Sequence, residues 1–302
     1  MTEGTADSWT ALPVPPSLLG ESPFWHPDEA ALYWCDIPGK RLNRFVPGST
    51  AEKGEHRQWA LPTEPGCCAP LPGGGLLLAM RDGLFRFDTR APGDGARTLL
   101  ATPPYDPAEM RFNDGKADPL GRLWVSTLYE PRSAPRAGLF RFAGGRFDGM
   151  ADDATVGNGL AFSPDARTLF WSDTFSHRIF AFDFDVAAGA ISRRRVLAQF
   201  EPKVAGRPLS GYGGRPDGAA LDADGALWVA MFEGQRLVRL DAEGRLLQEL
   251  ALPVRCPTMP CFGGADLRTL YVTTSREKRP ADELAAQPLA GSVLCRRVDV
   301  PG

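Results

Sequence analysis

Long hydrophobic runs are missing from this 302-residue chain. No stretch approaches the ~20 apolar residues of a bilayer-spanning helix. Residues 1–10 lack the basic segment followed by an apolar one that marks a secretory leader. A cytoplasmic protein with no membrane partner is expected. Charge of one sign is missing too: Lys, Arg, Asp and Glu are interspersed, with a net charge of -3. Without a basic block, a nucleic-acid surface is not expected, and a small molecule becomes the default partner. Histidine is scarce, and His26, His56 and His177 stand in no HExxH or other metal-binding spacing. There is also no GxSxG elbow, P-loop or GxGxxG, which removes a serine nucleophile and nucleotide cofactors. Paired CxxC knuckles are absent, so Cys35, Cys67, Cys68, Cys256, Cys261 and Cys295 read as buried free thiols. Cys67 and Cys68, adjacent in one strand, would point to opposite faces and could not easily share a metal. A chain this long buries a core without staples, so any metal would be functional rather than structural.

A long 3.6-period apolar stripe is the last absence. With 33 glycines and 28 prolines, the chain reads instead as many short strands joined by tight turns. One stretch sets the pattern. From Ala219 to Ala230 a short apolar strand is followed by the turn Asp222-Ala223-Asp224-Gly225 and a strand led by Leu227 and Trp228, which is a hairpin. Similar units recur at 24–45, 69–88, 115–142, 160–185, 219–244 and 261–300, six in all. Their period of roughly 45 residues is that of a four-stranded propeller blade. The expected fold is all-β, a single six-bladed propeller over 1–302. Residues 9–15 would add the outermost strand of the last blade and close the ring, and 1–8 would form a disordered tail. Two Gly/Pro-rich segments, 103–110 and 202–214, break the rhythm, either as passive surface loops or as lids.

Aligning the units on their first turn locates the polar residues. Glu21, Asn113, Asn158 and Asp217 each lie five residues before the turn residues His26, Asp118, Ser163 and Asp222. Gly66 and Thr258 hold the position in the second and sixth units. In a propeller the start of each innermost strand faces the axis, so these residues converge. Turn capping explains single Asp and Asn residues, but not their choice of the axis position in four units. Carboxylates and amides gathered there need a cation, since uncompensated buried charge is costly. The all-oxygen set favours Ca²⁺, with Mg²⁺ or Mn²⁺ next and Zn²⁺ or Fe²⁺ less natural. With so few protein ligands, an open position suggests catalysis.

The motifs Gly20-Glu21-Ser22-Pro23, Arg111-Phe112-Asn113-Asp114-Gly115-Lys116, Asn158-Gly159-Leu160-Ala161-Phe162-Ser163, Pro216-Asp217-Gly218 and Cys261-Phe262-Gly263-Gly264 resemble those of the regucalcin (senescence marker protein) and gluconolactonase family. The resemblance runs from about Leu19 to Cys295. It implies a six-bladed propeller that opens sugar-acid lactones with one divalent metal. By motif, Glu21, Asn158 and Asp217 would be the metal ligands, Asp217 also the proton-transfer residue, and Arg111 and Asn113 substrate contacts. The family's further substrate-binding glutamate corresponds to Glu130, shifted by one position, and such a shift reverses a strand's facing. The alternatives are a phosphotriester hydrolase using the same metal and a non-catalytic propeller whose axial ion holds the ring together. The sequence leaves the oligomeric state open, and a monomer is assumed.

Overall fold

The computed structural model describes residues 8–48 and 53–302; of the tail expected at 1–8, all but Ser8 lies outside the described residues. Each unit folds as a four-stranded antiparallel sheet, and six such sheets form a β-propeller. The first strands of the units are Gly20–His26, Pro65–Pro70, Met110–Ala117, Gly157–Phe162, Arg215–Leu221 and Pro257–Gly263. Each packs against the first strands of both neighbours, which closes a ring around one axis. Fourth strands such as Ala96–Ala101 and Leu246–Ala251 are almost fully exposed, as a rim demands.

Closure uses the N-terminal segment as expected, over a shorter span. Thr10 and Ala11 pair with Cys295 and Leu294 in the last blade, and Leu12 N–H adds one bond to Val293 O at 2.9 Å. Pro13 then ends the ladder, because it has no N–H to donate. Two short helical segments, Leu209–Gly211 and Ala281–Ala286, are the only helices among the described residues. Neither is long and apolar enough to cross a membrane.

The hydrophobic core lies between blades. Six clusters of buried side chains fill the six blade interfaces, for example Tyr33, Trp59, Leu78 and Phe87 between blades one and two. Trp124, Leu139, Trp171 and Phe182 fill the space between blades three and four. Burying each such side chain contributes about 1.5–3 kcal/mol. Stability therefore comes from the blade faces, and the axis is left free for polar groups. Cys67 and Cys68 fall into different interfaces, on opposite faces of their strand. All six cysteines are free thiols.

The first hairpin turn is braced in the same way in two blades. In blade five the Trp228 indole donates to Asp222 at 2.8 Å, and Arg239 Nε donates to the same oxygen at 2.7 Å. In blade three Trp124 and Arg122 do this to Asp118 at 3.0 and 2.6 Å. The turn aspartate thus ties the turn to the aromatic-led second strand. Each innermost strand then runs back from that turn to the axis position in a defined register.

Candidate active site

At the axis position every innermost strand carries a bulge. Glu21 pairs with Cys35 and Phe24 with Tyr33, so three steps on one strand face two on the other. The same extra residue occurs between Phe112 and Gly115, Asn158 and Ala161, and Pro216 and Ala219. It recurs between Pro65 and Cys67 and between Pro257 and Met259. A bulge bends the strand and re-aims its side chains. Six bulges at one level form a polar ring near one mouth of the propeller. Two of them use the left-handed region, Ser22 at φ 48° and Gly159 at φ 60°. At Gly159 a Cβ would lie 2.5 Å from Ser172 Oγ and 2.9 Å from Asp217 O, so only glycine lets blades four and five approach this closely.

Glu21, Arg111, Asn113, Asn158 and Asp217 are all buried on these strands. A hydrogen-bond chain links three of them. Arg111 Nη1 donates to Asn113 Oδ1 at 2.6 Å, Asn113 Nδ2 donates to Asn158 Oδ1 at 2.7 Å, and Asn158 Nδ2 donates to Thr174 Oγ1 at 2.8 Å. The chain fixes the Asn158 carbonyl oxygen as an acceptor with one lone pair to spare.

The carboxylates are less satisfied. Asp217 makes no side-chain hydrogen bond among the described residues, and Glu21 accepts only from the N–H of Ser22 at 3.2 Å. Burial pushes Asp217 up to about 8; Asp114 adds to the rise, while Arg215, Arg111 and Arg132 oppose it. Burial likewise holds Glu21 well above the usual carboxylate range, helped by the negative charges of Asp217 and Asp114. Desolvation dominates in both.

Among the described residues no three or more His, Cys, Asp or Glu side chains gather as a metal-binding group. The expected set contains two carboxylates, with an amide as third donor. These residues nevertheless fit a hard dication by chemistry: two buried carboxylates without an ion-pair partner, and an amide oxygen oriented by its neighbours. Asp114 Oδ1 is a further buried acceptor without a donor.

Glu130 behaves differently. It lies just beyond the second strand of blade three, Leu123–Tyr129. Arg81 binds it with Nη2 at 2.6 Å and Nη1 at 3.2 Å. Its negative field still reaches Arg111. The question of strand facing lapses, because Glu130 is in a turn.

Asp114, Thr174 and Arg215 join the site without having been singled out from the sequence. Asp114 was hidden because the bulge turns two consecutive residues inward, where strand alternation predicts one. Its only signal was the Asn113-Asp114-Gly115 run. Both irregular segments are tied down on this side. Tyr105 receives the Phe112 N–H at 2.8 Å. Lys203 holds Glu233 at 3.0 Å, and the Tyr212 hydroxyl lies 2.6 Å from His177 Nε2.

The chain matches the SMP-30/Gluconolactonase/LRE-like region over residues 19–276. It is 44% identical over 288 residues to a 6-deoxy-6-sulfogluconolactonase of Pseudomonas putida, covering 95% of this chain and 94% of that one. It is 34% identical over 284 residues to regucalcin of Oryctolagus cuniculus, with 91% and 89% covered. The solved structure of a calcium-binding protein, regucalcin, from Agrobacterium tumefaciens is similar, with a TM-score of 0.86 at 28% identity over 95% of this chain and 92% of that one. A propeller whose six inner strands bulge at one polar level, matched over most of its length by these relatives, belongs to the SMP-30/gluconolactonase family.

Proposed function

We propose that this chain is a divalent-metal-dependent hydrolase of sugar-acid lactones, with Glu21, Asn158 and Asp217 as metal ligands and Asp217 as the proton-transfer residue. The observation that carries the reading is the pair of buried, cation-free carboxylates Glu21 and Asp217 at the bulge level. A dication relieves their cost. Ca²⁺ suits the hard oxygen donors best, and the similar regucalcin of Agrobacterium tumefaciens is a calcium-binding protein. When bound, the ion supplies a Lewis acid that polarises the lactone carbonyl and acidifies water.

The protein's own groups do the rest. Asp217 takes the proton of the attacking water as the new C–O bond forms. As the ring C–O bond breaks, Asp217 returns that proton to the departing ring oxygen, so the product is the open hydroxy acid. Arg111 and Asn113 hold ring hydroxyls, their positions set by the chain that ends on Thr174. Buried polar groups favour a hydroxylated ligand, because each one left unpaired costs about 1–3 kcal/mol. Relatives named for gluconolactone chemistry support a six-carbon aldonolactone.

Asp217→Asn tests the role of the carboxylate. Metal-dependent opening of D-glucono-1,5-lactone, followed with a pH indicator and corrected for spontaneous opening, should fall at least about 10²-fold while the fold is kept. Wild-type turnover in the variant would refute the assignment.

A further inference from the structure

The bulge ring has a rear side. Past the bulges the innermost strands run on to the first hairpin turns, away from the mouth that Glu21 and Asp217 serve. There the innermost strands of blades one, two, three, five and six together line a cavity of about 430 Å³. A space bounded by five of the six innermost strands lies on the axis. Pro301 and Gly302 bridge the first turns of blades five and six at its outer rim, where Ala223 N–H donates to Pro301 O at 2.8 Å and Gly302 N–H to Leu267 O at 3.0 Å. Its inner end is Ser22, whose N–H donates to Glu21 at 3.2 Å and whose Oγ donates to Gly66 O at 3.0 Å.

The walls of this cavity are apolar and braced from behind. Pro23, Phe24, Trp25, Leu221, Met259 and Phe262 are among its lining residues. Phe24 stacks on Tyr33 with ring centres 5.2 Å apart, Trp25 stacks on Tyr271 at 6.2 Å, and Phe262 meets Trp228 edge-on at 6.4 Å. Rings supported in this way are already in place when a ligand arrives, so little ordering is left to be done on binding. One charge interrupts the walls. Lys116 lines the cavity half-buried and makes no hydrogen bond or ion pair among the described residues. No Asp or Glu side chain lines the cavity with it. Asp114 feels the Lys116 charge but forms no ion pair with it, and gives its Oδ2 to the Leu160 N–H at 2.8 Å. An ammonium set among apolar walls is best matched by an anion that brings apolar surface of its own.

We propose that this rear cavity is a second ligand site, distinct from the lactone site, and that it takes a small aromatic monocarboxylate with its ring against Phe24, Trp25, Met259 and Phe262 and its carboxylate on Lys116. The volume is that of a small-molecule pocket, and a mostly apolar lining with one placed polar group is the composition such pockets have. Aromatic and thioether side chains favour an aromatic body over an alkyl one. A neutral aromatic compound leaves the ammonium unmatched. A sugar acid matches the ammonium but strands its hydroxyls on apolar walls, so the lactone and its product are poor ligands here.

The probe is 3-(4-bromophenyl)propionate, titrated into the full chain and followed by tryptophan emission. Bromine quenches an indole only on contact, and Trp25 is the only one of the seven tryptophans that lines the cavity. A saturable part of the emission should be quenched, and Trp25→Phe should remove that part. The matching amide should bind roughly 10- to 100-fold more weakly than the acid, the scale of a charge-assisted hydrogen bond. Lys116→Met should weaken the acid to the level of the amide, while Lys116→Arg should keep most of the affinity. The comparison of acid and amide needs only the wild-type protein, so it decides the matter even where a variant fails to fold. No saturable quenching, quenching that survives Trp25→Phe, or equal affinity for acid and amide overturns the proposal. None of these outcomes touches the lactonase reading, which is tested at the other mouth.

Discussion

Asp217 is held under two opposed demands: burial favours its neutral form, whereas a ligand or base must be ionised. In the unfolded chain an aspartate titrates near ~3.9, and in the folded protein burial pushes Asp217 up to about 8. Between those values the folded state binds the extra proton, so stability falls as pH rises through the window and levels off above it. The chelated protein should therefore lose several degrees of Tm from pH 5 to pH 8, and Ca²⁺ should reverse the loss. Asp217→Asn should flatten the slope. A chelated wild-type protein with a flat profile would show that the carboxylate is compensated some other way. Glu21, Asn113, Asn158 and Asp217 were legible because a repeat puts equivalent residues at equivalent places, and counting back from the turn sufficed. Asp114, beside them, was not, since alternation places it on the opposite face and only the bulge brings it in. Arg215 was not legible either, because a guanidinium on a long stem has no fixed direction in sequence.

At the scale of elements, turn chemistry was the readable signal. Asp, Pro and Gly between alternating runs marked the hairpins, and aromatic residues marked the second strands. Asp222 shows what such a turn residue does beyond turning. It accepts from Trp228 and Arg239 and from the backbone N–H groups of Asp224 and Ala226. Asp222→Ala should leave a buried indole N–H unpaired and take from Arg239 one of its two carboxylate partners, the other being Asp224, a loss of about 2–3 kcal/mol that lowers Tm by roughly 5 °C. Asp222→Asn, which keeps an acceptor, should cost less. Thermal melts of the two variants decide the point: equal losses would mean that the turn, rather than the side-chain network, carries the effect. The helix Ala281–Ala286 was invisible in sequence because its six residues are too few to show a helical period. The closing strand was expected over 9–15 and forms only at Thr10–Ala11, where prolines cut the ladder short.

For the whole molecule, six separate interfaces share the stabilisation, and one of them includes the closing segment. Leu12 packs with Leu32, Trp34, Phe45 and Tyr271 between the last and first blades. Deleting residues up to Leu12 should open that interface, lower Tm and increase light scattering on heating, since the edge at Leu294–Arg297 becomes an unpaired template. An unchanged melt and no aggregation would show that the ring closes without it. The same pairing governs how the molecule is made. Ala11 and its partner Leu294 are 283 positions apart, so at 5–20 residues per second the first strand leaves the ribosome roughly 15–60 s before the last. Blades one to five can fold in order as they emerge. The sixth blade can be completed only once Leu294 has been made, from the first-made and last-made strands of the propeller, and until then both carry open edges.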